Sequence, residues 1–371
     1  MVSLIDCKRY ELDVVCNAVE QAWDTAGCPN PSGKTVLLKP NMLRAAAPEL
    51  AVTTHPFVLR AAIRLMKARG AKRVLVGDSP GWQPPALAAS ASGLMEATKA
   101  EGAEWADFND SVSIDSPSGL RVRRFTVARA AAEADLVVSL PKLKTHSLMY
   151  FTGAAKNLFG VIPGIQKSAF HLRFPGREEF GSMICDLVLA LKPAASIMDA
   201  VVGMEGPGPN NGQPVDIGLI MGSTNVFELD WVASSLVGYK PMEISYLHLA
   251  ASDTRYGFDA GAISTSGENP QTRHMHTFKR VEVLKENDFF RKRMPSWAYK
   301  PLKNLLVPRP VFLNKPCIRC SACIKICPAD ALAFTAGRNA PAVDYDKCIR
   351  CYCCHEVCPV DAIALKRGLF R

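Results

Sequence analysis

The 371-residue chain has no run that approaches the roughly eighteen apolar residues of a membrane-spanning helix. Its first residues, MVSLIDCKRYELD, lack the apolar core of a secretory signal and carry no twin-arginine pair. No nucleic-acid-binding motif accompanies the formal net charge of +9, which is spread along the chain and densest from Lys279 to Lys315. A disulfide framework is missing too. Of thirteen cysteines, Cys7, Cys16, Cys28, Cys185 and Cys353 are scattered and odd in number, which points to a reducing compartment. The expectation is a soluble cytoplasmic protein with no nucleic-acid partner and no membrane span.

The other eight cysteines are ordered. Cys317, Cys320, Cys323 and Cys327 are followed by Pro328, and the spacing repeats in Cys348, Cys351, Cys354 and Cys358 before Pro359. Each copy reads C-x2-C-x2-C-x3-C-P, the run that ligates [4Fe–4S] clusters in bacterial ferredoxins. Three closely spaced thiolates wrap one corner of a cubane, and the fourth is carried too far along to close the same cage. One cluster is therefore assigned to Cys317, Cys320, Cys323 and Cys358. The other is assigned to Cys348, Cys351, Cys354 and Cys327. Zinc sites more often use two separated C-x2-C pairs, without the two prolines. The flanks repeat as well, KPCIRCSACIKICPADAL against DKCIRCYCCHEVCPVDAI, as in a pseudo-twofold module. Cys353, adjacent to Cys354, reads as a spare thiol that could also substitute as a ligand. The stretch resembles the two-cluster bacterial ferredoxins, which implies one-electron transfer with a redox partner protein.

The first 250 residues alternate short β-rich runs with amphipathic helical patterns. VSLIDC, TVLLKPN, RVLVGDSPG, LVVSLPK, SIMDAVVG and VDIGLIMGS read as strands; LDVVCNAVEQAWDTAG, HPFVLRAAIRLMKARG, LAASASGLMEATKAEG, REEFGSMICDLVLALK and ELDWVASSLVG read as helices. This predicts an α/β layered domain with a mostly parallel sheet over 1–285. A basic, aromatic, proline-marked linker follows over 286–312, and a small α+β two-cluster ferredoxin domain over 313–371.

Polar residues gather where the strands end: Lys39 and Asn41 after TVLL, Asp78 after RVLV, Lys144 and His146 after LVVS, and Asp199 in SIMD. Ligands in open α/β sheets bind beyond the carboxyl ends of strands, so these clusters predict one shared site for a small molecule. Each could also be a simple turn. The segment 144–171, KTHSLMYFTGAAKNLFGVIPGIQKSAFH, reads as a glycine-rich loop in which Gly153 and Gly160 let backbone approach a ligand. Lys156, between Ala155 and Asn157, reads as a neutral, nucleophilic amine in an apolar setting and a candidate anchor for an additional cofactor. His146 and His171 flank it as candidate acid/base or ligand groups. Lys156, His146, Lys144 and Asp199 form the candidate catalytic set. Lys39, Asn41, Asp78, Gly153, Gly160 and His171 form the cofactor-binding set.

LLKPN, VGDSPG, PKLKTH, GAAKNLFG and IMDAVVGMEGPGP resemble the family called domain of unknown function 362, over about residues 1–250. That resemblance implies no activity. The order His146, Gly153, Lys156, Pro163-Gly164, His171 is also similar to the lactate racemase family. It implies Lys156 as the anchor of a nickel-pincer nucleotide, His146 as acid/base and His171 as a metal ligand. The chain departs from that pattern at Thr152-Gly153-Ala154-Ala155, where the family has Ser-Gly-Gly before its lysine. Three functions follow. They are an iron–sulfur oxidoreductase whose clusters serve a strand-end site, an electron carrier or maturation factor that docks a partner enzyme, and a nickel-pincer isomerase.

Overall fold

A computed structural model describes residues 1–164, 166–282 and 307–366. Most of the linker expected over 286–312 lies outside them. The chain divides into two units, Met1–Lys167 with Gly176–Val281, and Ser168–Pro175 with Glu282–Arg371.

In the first unit the elements run β1 (Val2–Asp6), α1 (Leu12–Thr25), β2 (Thr35–Pro40), α2 (Pro56–Ala68), β3 (Arg73–Val76), α3 (Pro85–Ala91), α4 (Leu94–Ala100) and β4 (Glu104–Trp105). Next come β5 (Ser111–Asp115), β6 (Arg124–Ala128), α5 (Arg129–Glu133), β7 (Leu136–Leu140), β8 (Lys142–His146), β9 (Tyr150–Thr152) and α6 (Ala154–Asn157). The helix α7 (Gln166–Arg173) crosses the division between units after Lys167. The first unit closes with α8 (Arg177–Leu191), β10 (Ala195–Glu205), β11 (Gln213–Ser223), α9 (Val226–Leu236), α10 (Ser245–Ser252) and β12 (Thr265–Gly267). The expected helix over LAASASGLMEATKAEG is two helices. Gly93 takes a left-handed φ of 72° between α3 and α4 and turns the chain.

One ten-stranded sheet carries the order β12-β1-β11-β10-β7-β2-β3-β4, with β8 and β9 extending from β10. Along that order neighbours pair in parallel except where β11 lies between β1 and β10. Val36, Leu38, Val74, Val76 and Val138 face α1 and α2, where Val15, Trp23, Val58 and Met66 complete a core. The intervening Leu37 and Val137 are buried as well, as in parallel sheets covered on both faces. From β2 the chain moves outward to β3 and β4, then returns with β7 on the other side of β2. Strand order reverses there, the place where open α/β sheets bind ligands beyond the carboxyl ends.

β5 and β6 form a separate antiparallel ribbon. Its turn is held by buried Asp186 of α8, whose carboxylate accepts from the N–H groups of Leu120, Arg121 and Val122 at 2.8, 2.7 and 2.9 Å and from the Tyr256 hydroxyl at 3.1 Å.

The second unit is built from two short antiparallel pairs, β13 (Arg309–Phe312) with β16 (Ile363–Lys366) and β14 (Leu332–Ala333) with β15 (Ala342–Val343). Two short helices join them, α11 (Ala322–Lys325) and α12 (Cys353–Val357).

Removing the Asp186 carboxylate strands several buried donors at once, so Asp186→Ala should lower the unfolding free energy by about 3 kcal/mol. Urea unfolding monitored by circular dichroism measures this, and an unchanged midpoint would contradict the assignment.

Candidate functional site

Two networks of buried charge occupy the carboxyl ends of the strands. In the first, Lys39 ends β2 with its side chain fully buried, and its Nζ meets Asp78 Oδ1 at 2.8 Å. The ammonium also donates to the Pro40 carbonyl at 3.1 Å and to Asn157 Oδ1 at 3.2 Å. Asn157 returns hydrogen bonds to the Lys39 carbonyl and to Ser139 Oγ, both at 3.0 Å, and Asn41 Nδ2 donates to its Oδ1 at 3.2 Å. Asp78 accepts from the Met42 and Ser79 N–H groups at 2.7 and 2.8 Å. Burial pulls the Lys39 amine below its usual range, and Asp78 opposes that shift. Gly160 closes over the pair: a Cβ there would lie 2.0 Å from Asp78 Oδ1 and 2.4 Å from Lys39 Nζ. Lys167, half-buried, donates to the Ser79 carbonyl. Burial is the main cause that lowers its amine to about 7; Asp78 opposes, and the charges of Lys39 and Lys156 add to the lowering.

The second network centres on Asp199 in β10, aligned with Lys142 of β8. Lys142 Nζ donates to Asp199 Oδ2 and to the Tyr10 hydroxyl, each at 2.7 Å. Tyr10 donates to Asp199 Oδ1 at 2.8 Å, and the His55 N–H reaches Oδ2 at 2.8 Å. Burial and then Asp199 push the Tyr10 phenol well above its usual range, so it holds its proton. The His55 ring stacks on Tyr10 with centroids 3.6 Å apart and accepts at Nδ1 from the Phe57 N–H. Burial lowers this imidazole to about 4.

The structure thus brings Lys39, Asn41 and Asp78 into one network and places Asp199 in the other. Lys144 lies buried on β8, its Nζ donating to the Val52 carbonyl at 2.7 Å. The expected loop from 144 is a β8–β9 hairpin followed by the short helix α6. His146, buried, accepts from Leu148 and Met149 N–H at Nδ1, at 3.1 and 3.2 Å, and so shapes that hairpin turn. Lys156 is half-buried on α6, with Nζ 5.8 Å from the Phe159 ring centroid. Gly153 admits Asp230, whose carboxylate accepts from Ala154 and Ala155 N–H at 2.5 and 3.0 Å; a Cβ at Gly153 would sit 2.0 Å from Asp230 Oδ1. His171 lies on α7 in the segment that belongs to the second unit. Sequence reasoning missed Tyr10, Lys142, His55 as a network member, Asn157 and Lys167. Lys142 stands two residues before Lys144 in PKLKTH, and that spacing along a strand was the available signal.

In the second unit a small pocket is lined by Cys317, Cys320, Cys323 and Cys358, together with Phe312 and Phe334. Burial raises the Cys323 thiol to about 11, and nearby Cys320, Cys358 and Cys317 add to it. Cys348 is raised by burial, with Cys351 and Cys327 beside it. The fourth cysteine of each copy accepts a backbone N–H, Ala331 on Cys327 at 3.4 Å and Ala362 on Cys358 at 3.2 Å. Left-handed backbone repeats likewise: Arg319 and Arg350 have φ of 54° and 61°, Ser321 and Tyr352 65° and 62°, Asp330 and Asp361 46° and 50°. Such conformations cost non-glycine residues on the order of 1 kcal/mol each, a cost the wrapping of a ligand offsets. Among the described residues no three His, Cys, Asp or Glu side chains converge on one metal ion. Cys353 is buried with Cys351 and Ile326, its thiol donating a hydrogen bond to Cys351.

A model described as "Domain of unknown function (DUF362)" matches residues 36–235. The chain belongs to the DUF362 family. A second model, "4Fe-4S dicluster domain", matches residues 309–359, so this DUF362 protein carries a ferredoxin-type iron–sulfur domain. The thylakoid-associated protein sll1697 of Synechocystis sp. is 31% identical over 320 residues, covering 84% of this chain and 97% of the relative. The lactate racemase apoprotein of Thermoanaerobacterium thermosaccharolyticum is similar at 17% identity and a TM-score of 0.39, over 61% of this chain and 54% of that one. No helix among the described residues is long and apolar enough to cross a membrane.

Because burial holds the folded His55 unprotonated down to about 4 while an unfolded histidine titrates at its ordinary value of about 6.5, the unfolded state binds more protons between those values. Stability should therefore fall as pH drops from 6.5 toward 4, and His55→Gln should flatten that slope. Urea midpoints at several pH values test it; identical slopes in both proteins would contradict it.

Proposed function

We propose that this DUF362 protein is an iron–sulfur oxidoreductase in which two [4Fe–4S] clusters serve a small-molecule site at the strand ends of the α/β unit. Cys317, Cys320, Cys323 and Cys358 hold one cluster, and Cys348, Cys351, Cys354 and Cys327 the other. The clusters supply one-electron transfer when bound, with a redox protein as donor or acceptor. The observation that carries the reading is the pocket lined by three cysteines of the first copy and the fourth of the second.

In the α/β unit Lys167 lies within electrostatic reach of Lys39, Lys156 and Asp78. Such a gathering of lysines favours an anionic ligand such as a carboxylate or phosphate. Tyr10 keeps its proton, donates it in a hydrogen bond to Asp199 and, with Lys142, holds that carboxylate next to the His55 ring. Lys144 and His146 support the frame of this site, through Val52 and the β8–β9 turn. Lys156 remains the candidate anchor for a further cofactor. The nickel-pincer reading is the weaker one, because His146 is engaged in a hairpin turn. The electron-carrier reading differs in leaving the strand-end crevice without a ligand. We place the protein's work in the cytoplasm, at a membrane surface if its thylakoid-associated relative is a guide.

The ligand crossing yields a discriminating experiment. Cys327→Ser should perturb the cluster of Cys348, Cys351 and Cys354, and Cys358→Ser the other, while Cys353→Ser should leave both signals in place. Paramagnetic resonance of the reduced proteins assigns each signal. Damage confined to the mutated copy's own motif would refute the crossing, and loss of a cluster in Cys353→Ser would overturn the ligand set.

A further inference from the structure

The two copies of the cysteine motif share a backbone but not a surface. Around the second, Arg350 Nη1 donates to the Val307 carbonyl at 2.8 Å, Tyr352 Oη to Pro308 at 2.8 Å and Tyr345 Oη to Pro310 at 2.9 Å, so the entering strand covers that motif. Ile349 packs against Ile326, Cys351 and Cys353. Cys351 is only 8% exposed.

In the first copy the matching positions are bare. Ser321 stands where the second has Tyr352, and Arg319 turns instead to the Arg338 carbonyl at 2.7 Å and over the Phe334 ring at 4.2 Å. Ile318, the counterpart of Ile349, is 60% exposed, and Cys320 is exposed as well. Charge follows the same division. From residue 313 to 341 stand four cationic side chains, Lys315, Arg319, Lys325 and Arg338, against one carboxylate, Asp330. From 344 to 361 two cations, Lys347 and Arg350, face four carboxylates, Asp344, Asp346, Glu356 and Asp361. Lys315, Arg319 and Arg338 are exposed. A surface with a solvent-facing ligand thiol, a bare aliphatic side chain and a cationic collar has the features of a transient electron-transfer interface: small, apolar at its centre and steered by charge.

We propose that the face around Ile318 and Cys320 is the docking surface for a small acidic one-electron carrier protein. This rests on the cluster assignment above. Each encounter moves one electron between the carrier's reduced or oxidised centre and the cluster held by Cys317, Cys320, Cys323 and Cys358; no bond forms or breaks.

Stopped-flow mixing of the anaerobic, full-length, cluster-loaded protein with reduced flavodoxin, a small acidic carrier, tests the proposal. The wild-type bimolecular rate should fall steeply between low and high salt. Lys315→Glu with Arg338→Glu, neither a cluster ligand, should slow it about tenfold at low salt, whereas Lys347→Glu should change it by less than about twofold. Iron content and reduced-state paramagnetic spectra of the variants should match wild type. Equal rates in the doubly reversed variant, or a rate indifferent to salt, would overturn the docking face while leaving the clusters standing. So would binding of the collar to anionic phosphatidylserine vesicles with no effect of charge reversal on the flavodoxin rate. Absence of cluster signals in wild type would overturn the cluster assignment and this proposal together.

Discussion

Burying an ammonium group without compensation is prohibitively expensive, and this α/β unit buries Lys39, Lys142 and Lys144 at the ends of its strands. Each solution draws in a different part of the chain. Lys39 recruits Asp78 from beyond β3 and Asn157 from α6. Lys142 recruits Asp199 from β10 and Tyr10 from the loop after β1. Lys144 pins Val52, in the loop that leads into α2. These contacts tie five separate segments to one edge of the sheet, where parallel order reverses and a ligand crevice is expected. Replacing such pairs with apolar residues is often neutral or stabilising in other proteins. Stability alone therefore does not account for their presence at this edge.

The C-terminal unit solves a different problem with a repeat. A chain that wraps a cubane must turn sharply between ligands, and both copies do so at matching non-glycine positions with left-handed backbone. What differs between copies is the covering. Tyr352 and Arg350 reach the incoming strand, and their counterparts Ser321 and Arg319 do not. One backbone thereby yields one enclosed cysteine set and one open to the solvent.

Much of this was legible in the sequence because it depends on local spacing. The cysteine repeat is linear, and the strands β2, β3, β7 and β10 are apolar runs ended by polar residues, so Lys39, Asp78 and Asp199 could be singled out. What escaped reading depends on distance in the chain. Tyr10 and Lys142 are separated by 132 positions and meet only because β1 lies in the same sheet as β10. The glycine-rich segment after Lys144 was expected as a loop. Tyr150, Phe151 and Thr152 instead pair with β8, and Gly153 makes room for the Asp230 carboxylate that caps α6. Composition alone did not distinguish a glycine that shapes a ligand loop from one that admits a buried side chain.

The central claim is that one chain joins two clusters to an anion-binding α/β site. Anaerobic purification of the full chain, with iron and sulfide analysis and native mass spectrometry, addresses both halves at once. The account predicts about eight iron and eight sulfide per chain, together with a bound anionic small molecule that is lost on substitution of Lys156 but kept when cluster ligands are replaced. A chain holding zinc or no metal, or one whose bound mass is indifferent to Lys156, would contradict it.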